Sequence, residues 1–293
     1  MEIIMNFALF RCCPTSIFLK QYESSTDAVL RKLGVQFKDI KEFNCCGYPL
    51  KNINARAYAL AGARNLALAE KNGVNILTFC NCCFNSLKHV QHTLKKNPAL
   101  KQDINTILAK EGLTYQKPVE IKHLFEVLFN DIGLDTIKDK VVKSFSGLKI
   151  ATHYGCHILR PKNIVRFDNP IAPTIFDQLV ELTGAKSIDW QTKLDCCGSP
   201  LLGVDDELSL DLTQKKIKDA KQSGADYLCS ACVYCQLQFD RVQKMLISRR
   251  NETQPLPSIL YTQLLGLSLG IDKKILGIEQ NELAITRIEN FLS

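Results

Sequence analysis

Cysteines recur in this sequence at fixed spacings, and the repetition is its main chemical signal. Two adjacent cysteines precede a Gly-X-Pro segment in "NCCGYP", residues 44–49, and again in "DCCGSP", residues 195–200. A Cys-X-X-Cys pair follows each segment, after 33 residues in the first case and 34 in the second. Grouped thiolates are the ligands that zinc and iron–sulfur clusters select. The spacing therefore predicts two metal centres.

A single cysteine completes each set by preceding the adjacent pair. It is Cys156 in the second half and either Cys12 or Cys13 in the first, where the gap-free spacing to "ESSTDAVLRKLG" favours Cys13. The candidate ligands are Cys13, Cys45, Cys46, Cys80, Cys83, Cys156, Cys196, Cys197, Cys232 and Cys235.

Five thiols in each half are one more than a structural zinc ion or an ordinary cubane cluster takes. Adjacent cysteines do not easily direct both sulfurs at one tetrahedral ion, but they reach two neighbouring metals. A multi-iron cluster in each half fits this donor set better than a single ion. A vicinal disulfide would need a strained peptide and an oxidising role.

The segments around the cysteines alternate between strand and helix patterns. "IIMNFALF" and "GLKIATHY" predict buried strands that end just before the single cysteines, and "VNILTF" and "ADYL" predict strands that end near the Cys-X-X-Cys pairs. Helical patterns follow, in "CFNSLKHVQHTL" and "YCQLQFDRVQKML". Such alternation favours a parallel α/β layer in each half, which would bring the cysteines to the carboxyl ends of the strands.

The chain therefore consists of one unit duplicated at an offset of about 150 residues. Its 293 residues are enough for two domains, which we expect at 1–147 and 148–293, the second with additional C-terminal helices. Because the sets lie at equivalent strand ends, we expect them to converge near the join between the halves.

The bulk composition indicates a globular protein, with 46% apolar and 23% charged residues. The N-terminus lacks a basic leader, and the run "ILYTQLLGLSLGI" is too short to span a bilayer. We therefore expect a cytoplasmic protein with reduced thiols and no membrane span. The net charge of +7 fits a lysine-rich solvated surface, and without a basic block or nucleic-acid motif we expect no nucleic-acid partner.

Nearly the whole chain resembles the twin-cysteine, or CCG-domain, proteins, of which the B subunit of heterodisulfide reductase is the type member. The resemblance includes both cysteine sets, "HYGCHILRP" at 153–161, "CCGSPLLGVDDE" at 196–207 and "PSILYTQLLGLSLG" at 257–270. It implies two non-cubane [4Fe–4S] clusters, each held by the five cysteines of one half. One departure is "FRCCPTS", which lacks the family's usual glycine before the single cysteine.

The resemblance also implies an activity and partners. A disulfide, either the coenzyme M–coenzyme B heterodisulfide or a related one, would lie between the clusters and take one electron from each. The sequence has no ordinary cubane motif, nucleotide loop or flavin fingerprint, so electrons must arrive from another polypeptide. The family implies a ferredoxin-like subunit, which is itself supplied by a flavin-containing subunit.

Other residues near the cysteines have two interpretations each. His153 and His157 flank Cys156 and either hydrogen-bond the loop or donate a proton to a departing thiolate. Arg160 and Lys162 are either solvated cations or anchors for an anionic substrate. The surplus thiols Cys82 and Cys229 are expected to be small buried fillers.

Two other functions remain open. The chain could serve a sulfur-oxidising or other thiol redox complex, or it could be a non-catalytic electron relay or zinc scaffold. Five ligands per half argue against zinc, and two intact halves argue against a degenerate relay.

Overall fold

Eight strands form two sheets of the same design in the computed structural model, which describes residues 3–250 and 255–293. The strands are β1 (Ile3–Phe10), β2 (Val35–Lys38), β3 (Asn75–Thr78), β4 (Ile121–His123), β5 (Lys149–His153), β6 (Lys186–Ile188), β7 (Tyr227–Ser230) and β8 (Ser258–Leu260). The sheet orders are β2-β1-β3-β4 and β6-β5-β7-β8, with every pair of neighbours parallel. The predicted fold of two parallel α/β repeats is confirmed.

Helices connect and cover the strands in both halves. They are α1 (Thr15–Phe18), α2 (Lys20–Leu33), α3 (Ala55–Lys71), α4 (Asn81–Lys96), α5 (Pro98–Leu108), α6 (Leu124–Glu126), α7 (Leu134–Lys138), α8 (Lys162–Val165), α9 (Ile175–Glu181), α10 (Asp206–Gln222), α11 (Val233–Leu237), α12 (Gln243–Arg250) and α13 (Tyr261–Ser268). Short π-helical turns extend α6 and α11. None of the helices in the described ranges combines the length and the apolar character that crossing a bilayer requires.

Strand pairing fixes which residues of the two halves correspond. Phe10, the last residue of β1, pairs with the last residue of β3, and His153, the last of β5, pairs with the last of β7. Phe10 and His153 therefore occupy the same position. Three residues further along, Cys13 corresponds to Cys156.

The two halves share one continuous core, because the central strands are buried on both faces as expected for parallel sheets. In each half, a helix that follows the fourth strand of the sheet packs against the other half. In α13 of the second half, the Thr262 hydroxyl lies 2.6 Å from that of Ser25 in α2 of the first half. In α6 of the first half, the Phe125 ring packs 4.5 Å from that of Phe176 in α9 of the second. Each half thus supplies a helix that covers the other.

Candidate metal centre

The cysteines lie at the carboxyl ends of the strands, as the alternating pattern predicts. Cys80 and Cys232 each come two residues after a central strand and are the N-caps of α4 and α11. The N-terminus of a helix carries a partial positive charge that favours a thiolate. The first cysteine of each Cys-X-X-Cys pair therefore stands at the positive end of a helix.

The glycine that follows each adjacent pair has a steric reason. Gly47 has φ +84° and Gly198 has φ +91°, a conformation that L side chains rarely adopt. A Cβ atom would also come within 3.0 Å of the Tyr58 carbonyl oxygen at Gly47, and within 2.7 Å of the Ser209 carbonyl oxygen at Gly198. Glycine thus lets the backbone turn tightly against α3 or α10.

In the first half, the five predicted ligands form a chain of thiol contacts. The Cys13 Sγ lies 3.8 Å from the Cys45 Sγ. Cys46 contacts Cys83, which in turn contacts Cys80. The pKa of Cys45 is strongly lowered because Cys13 and then Cys46 donate hydrogen bonds to its sulfur. These thiol contacts thus favour the deprotonated form of Cys45.

The second half repeats the same order of contacts. Cys156 contacts Cys196, Cys197 contacts Cys235, and Cys235 contacts Cys232. The pKa of Cys196 is strongly lowered, because Cys156 and Cys197 donate hydrogen bonds to it. Two groups of five sulfurs therefore have matching arrangements.

Cys12 and Cys13 take different places. The Cys12 Sγ is buried and lies within 4.8 Å of the sulfurs of Cys80 and Cys83, whereas Cys13 is exposed beside Cys45. The strand register matches Cys12 with Gly155, which bears no thiol, and Cys13 with Cys156. Cys13 remains our predicted ligand.

The two sets meet between the halves. The sulfurs of Cys80, Cys82 and Cys232 all lie within 4.8 Å of one another, which confirms the expected convergence. Cys82 was expected to be a filler; it is buried, but it stands at this junction. Cys229, by contrast, is buried within β7, where burial alone raises its pKa.

A cavity of about 50 Å³ opens at the same junction. Residues of both halves line it: Tyr48, Asn81 and Cys82 from the first, and Gly155, Cys156, His157, Cys196, Cys197, Ser199, Pro200, Cys232, Tyr234 and Cys235 from the second. The lining is largely apolar apart from the thiols, the imidazole and a few polar groups. The thiols that line it are the five of the second set and Cys82 of the first half.

The predicted histidines and cations differ in their relation to this cavity. Within the described ranges, the lining includes His157 but not His153, Arg160 or Lys162. The His157 Nδ1 lies 3.5 Å from the Cys82 Sγ and 3.7 Å from the Cys156 Sγ. Arg160 donates hydrogen bonds to backbone carbonyls and is exposed, as is Lys162 at the start of α8.

His153 lies behind the second set. It is completely buried, and one of its ring nitrogens comes within 4.8 Å of the sulfurs of Cys197 and Cys235. Its ring packs edge-on against Phe239 at 4.9 Å. Burial strongly lowers its pKa, so the imidazole is neutral.

Sequence reasoning missed a buried lysine in the same region. Lys216 of α10 is 1% exposed, donates a hydrogen bond to the Thr192 carbonyl oxygen and lies 4.5 Å above the Trp190 ring. Burial lowers its pKa to about 8. No local pattern distinguishes it from the solvated lysines of the same helix.

The donor set fits an iron–sulfur cluster in each half. All thirteen cysteines are free thiols, and each half directs five of them to one place. Thiolate is the donor that such clusters select. The ring nitrogens of His153 add a polar group that faces the second set and makes no hydrogen bond of normal geometry in the described part of the chain.

Comparison with known proteins gives a family match in each half. Residues 7–88 and 150–240 match the family model CCG, the "Cysteine-rich domain". The chain is 35% identical to the B subunit of the ferredoxin/F(420)H(2)-dependent CoB-CoM heterodisulfide reductase of Methanosarcina acetivorans, over 97% of this chain and 95% of that protein. It is 32% identical to "8-methylmenaquinol:fumarate reductase membrane anchor subunit" of Wolinella succinogenes, over 97% and 99%.

A solved structure shares the fold. The crystal structure of "a hypothetical protein from Helicobacter pylori" superposes with a TM-score of 0.76 at 20% identity, over 95% of this chain. This chain spans about half, 52%, of that one. At this identity the likeness shows the fold alone.

Proposed function

The chain belongs to the CCG cysteine-rich domain family, and from this membership we propose that it is the catalytic subunit of a heterodisulfide reductase-type complex. Its substrate would be a small-molecule disulfide, either the coenzyme M–coenzyme B heterodisulfide or a related one. The reaction is R–S–S–R′ + 2 e⁻ + 2 H⁺ → R–SH + R′–SH. Each product thiol takes one electron and one proton.

One observation carries the proposal: two matching sets of five thiols meet between the halves, where the sulfurs of Cys80 and Cys232 lie within 4.8 Å of one another beside a cavity that residues of both halves line. Cys13, Cys45, Cys46, Cys80 and Cys83 would hold one non-cubane [4Fe–4S] cluster, and Cys156, Cys196, Cys197, Cys232 and Cys235 the other. Each cluster, when bound, would supply one electron to one sulfur of the disulfide. Two equivalent sites suit the two ends of one S–S bond, which gives the duplication a chemical purpose.

The chain's own contribution at the cavity is to bind the substrate and supply protons. His157 lines the cavity next to Cys82 and Cys156, within reach of a departing thiolate. The tilted ring of Tyr234 and the edge-on imidazole of His157 both pack against Tyr48 in the cavity lining. We assign proton delivery to His157, because the buried His153 is not part of the cavity lining.

Electrons would enter from partner subunits. The relatives from methanogens are named as subunits of heterodisulfide reductases, and we extend this to two partners for this chain, a ferredoxin-like subunit that docks directly and a flavin-containing subunit that supplies it. Exposed apolar side chains near the first cysteine set, Ile17 and Phe18 of α1, provide a surface suitable for such contacts.

A second candidate is an electron-relay subunit that does not itself reduce a disulfide. The observation that favours it is the relative from Wolinella succinogenes, whose name assigns it to a fumarate reductase. A relay would bind the same clusters but would not turn over any disulfide. A subunit of a sulfur-oxidising or other thiol redox complex would instead act on a different sulfur substrate.

The test is anaerobic purification followed by iron and sulfide analysis and by a reductase assay with a panel of disulfides. We expect about eight irons per chain, four for each cluster, and reduction of at least one disulfide by a low-potential one-electron donor. Bound clusters without turnover of any disulfide in the panel would favour the relay. A chain that binds zinc instead of iron would refute the proposal.

A further inference from the structure

The two cysteine sets have matching thiols but different surroundings. At the position where the first half has Phe10, the second half has His153. Phe10 is buried and packs against the Phe43 ring at 5.1 Å, so it offers no hydrogen-bonding group. The imidazole of His153 is the polar counterpart of an apolar ring.

His153 lies close to two sulfur atoms of the second set. Its side chain is 0% exposed, and one ring nitrogen lies within 4.8 Å of the sulfurs of both Cys197 and Cys235. Neither ring nitrogen makes a hydrogen bond of normal geometry to the residues that the structure describes; the Lys193 backbone lies nearby and has a minor effect. A buried N–H without an acceptor is destabilising, and acceptor atoms at this cysteine set would remove that penalty.

A second difference, Lys216, is electrically compensated. The equivalent residue in the first half, counted from the N-caps of α3 and α10, is the neutral Asn65. The charge of Lys216 is opposed by Asp195 and Asp219, both of which lie near it. Lys216 also interacts with the sulfurs of Cys197 and Cys235, so a substitution of His153 alone is needed to separate the effect of the imidazole from that of the lysine.

We infer that His153 donates a hydrogen bond to the cluster of the second set and gives it a higher reduction potential than the cluster of the first set. Reduction adds negative charge to a cluster, and an N–H donor stabilises the reduced form more than the oxidised one. The second cluster would therefore accept its electron first from a low-potential iron–sulfur donor, and the first cluster would follow. The inference rests on the proposed function and makes the two sites unequal within it.

The experiment uses two chains that keep one cluster each. Cys46→Ala retains the second-set cluster, and Cys197→Ala retains the first-set cluster. Dithionite titration followed by electron paramagnetic resonance gives the midpoint potential of each. We expect the higher midpoint in Cys46→Ala, and equal midpoints or the reverse order would overturn the inference.

Substitution of His153 tests the cause. In the Cys46→Ala background, His153→Phe copies the first-half residue and should lower the midpoint, whereas His153→Gln, which keeps an N–H donor, should largely preserve it. In the Cys197→Ala background, His153→Phe should leave the midpoint unchanged. An unchanged midpoint with His153→Phe in the Cys46→Ala background, or a nitrogen coupling strong enough for a direct iron–histidine bond, would overturn the inference.

The result separates this inference from the function on which it rests. If His153→Phe prevents cluster binding, the comparison of Cys46→Ala with Cys197→Ala still decides whether the two clusters differ in midpoint potential. If the unsubstituted chain binds no iron–sulfur cluster at all, the proposed function fails. If it binds two clusters of equal potential, only the inequality of the sites fails.

Discussion

The side-chain amide of Asn81 donates a hydrogen bond to the backbone carbonyl oxygen of Tyr154 over 2.7 Å. Asn81 begins α4 directly after Cys80 of the first half, and Tyr154 begins the loop that carries Cys156 of the second half. One turn further along α4, the Asn85 amide donates to two more carbonyl oxygens of this loop, those of His157 and Arg160. A helix of one half thus positions a cysteine of the other.

Replacing both asparagines should therefore disturb the second set. Asn81→Ala with Asn85→Ala removes the donors to the Tyr154, His157 and Arg160 carbonyl groups, at a cost of about 1–3 kcal/mol for the buried Tyr154 carbonyl, and frees the Cys156 loop. We expect iron to fall from roughly eight per chain towards four. The matched control is Asn105→Ala, which removes an equivalent side-chain bond to the Tyr115 carbonyl far from the cysteines. Equal iron in the double variant and the control would contradict the expectation.

Removing one cysteine of an adjacent pair should remove one cluster only. In Cys197→Ala we expect about four irons per chain and almost no disulfide reduction, while one-electron exchange at the other cluster persists. Cys46→Ala should give the mirror result. The control is Cys229→Ala, a buried thiol outside both sets, for which iron and activity should stay near normal. Full activity in Cys197→Ala would refute its assignment.

Cys12 and Cys13 can be separated by the same iron measurement. Because Cys13 corresponds in register to Cys156, we expect Cys13→Ala to lose the first-set cluster and Cys12→Ala to keep it. The fold should survive both changes, since each removes a single sulfur. Loss of iron in Cys12→Ala alone would make Cys12 the ligand.

His157 should affect turnover and not cluster content. If it delivers a proton to the departing thiolate, His157→Gln should lower kcat for disulfide reduction about a hundredfold, with iron unchanged. His92→Gln, a change of the same type on the distant end of α4, is the control and should retain normal kcat. A normal kcat in His157→Gln would remove the histidine from the mechanism.

Asp240 should make stability depend on pH. Its carboxylate accepts the backbone N–H groups of Glu282 and Leu283 at 3.0 and 2.9 Å, and burial raises its pKa to about 6. The native state therefore holds this proton at pH values where the unfolded chain, with an ordinary aspartate pKa near 4, has lost it. This contribution to stability is present in acid and is lost as the pH rises through about 6.

The measurement is anaerobic urea unfolding of the unsubstituted chain and of Asp240→Asn at pH 5, 6 and 7. The unfolding free energy of the unsubstituted chain minus that of Asp240→Asn should decrease by about 1 kcal/mol from pH 5 to pH 7. A difference that does not vary with pH would show that Asp240 is ionised throughout.

The structural features that can be predicted from the sequence are those that a local pattern encodes in both halves. "VNILTF" contains the central strand β3, and "ADYL" covers the first two residues of the central strand β7. Each adjacent cysteine pair comes with the glycine that its turn requires. The missed residues act across long separations in sequence. Lys216 looks like its solvated neighbours on α10, Asn81 looks like an ordinary first-turn residue, and Cys82 looks like a spare thiol. Only tertiary packing brings Lys216 to the second set, and only tertiary packing brings Asn81 and Cys82, which lie between Cys80 and Cys83, into contact with the second half.

The packing of α6 and α13 against the opposite half has a consequence for how the two sites stay together. If the two halves were separate chains, the Ser25–Thr262 and Phe125–Phe176 contacts would join them as a dimer, and this dimer would dissociate on dilution. Here both halves belong to one chain, so these contacts are intramolecular. Their effective concentration is therefore independent of the protein concentration. A scarce protein would therefore still carry both cysteine sets in every molecule.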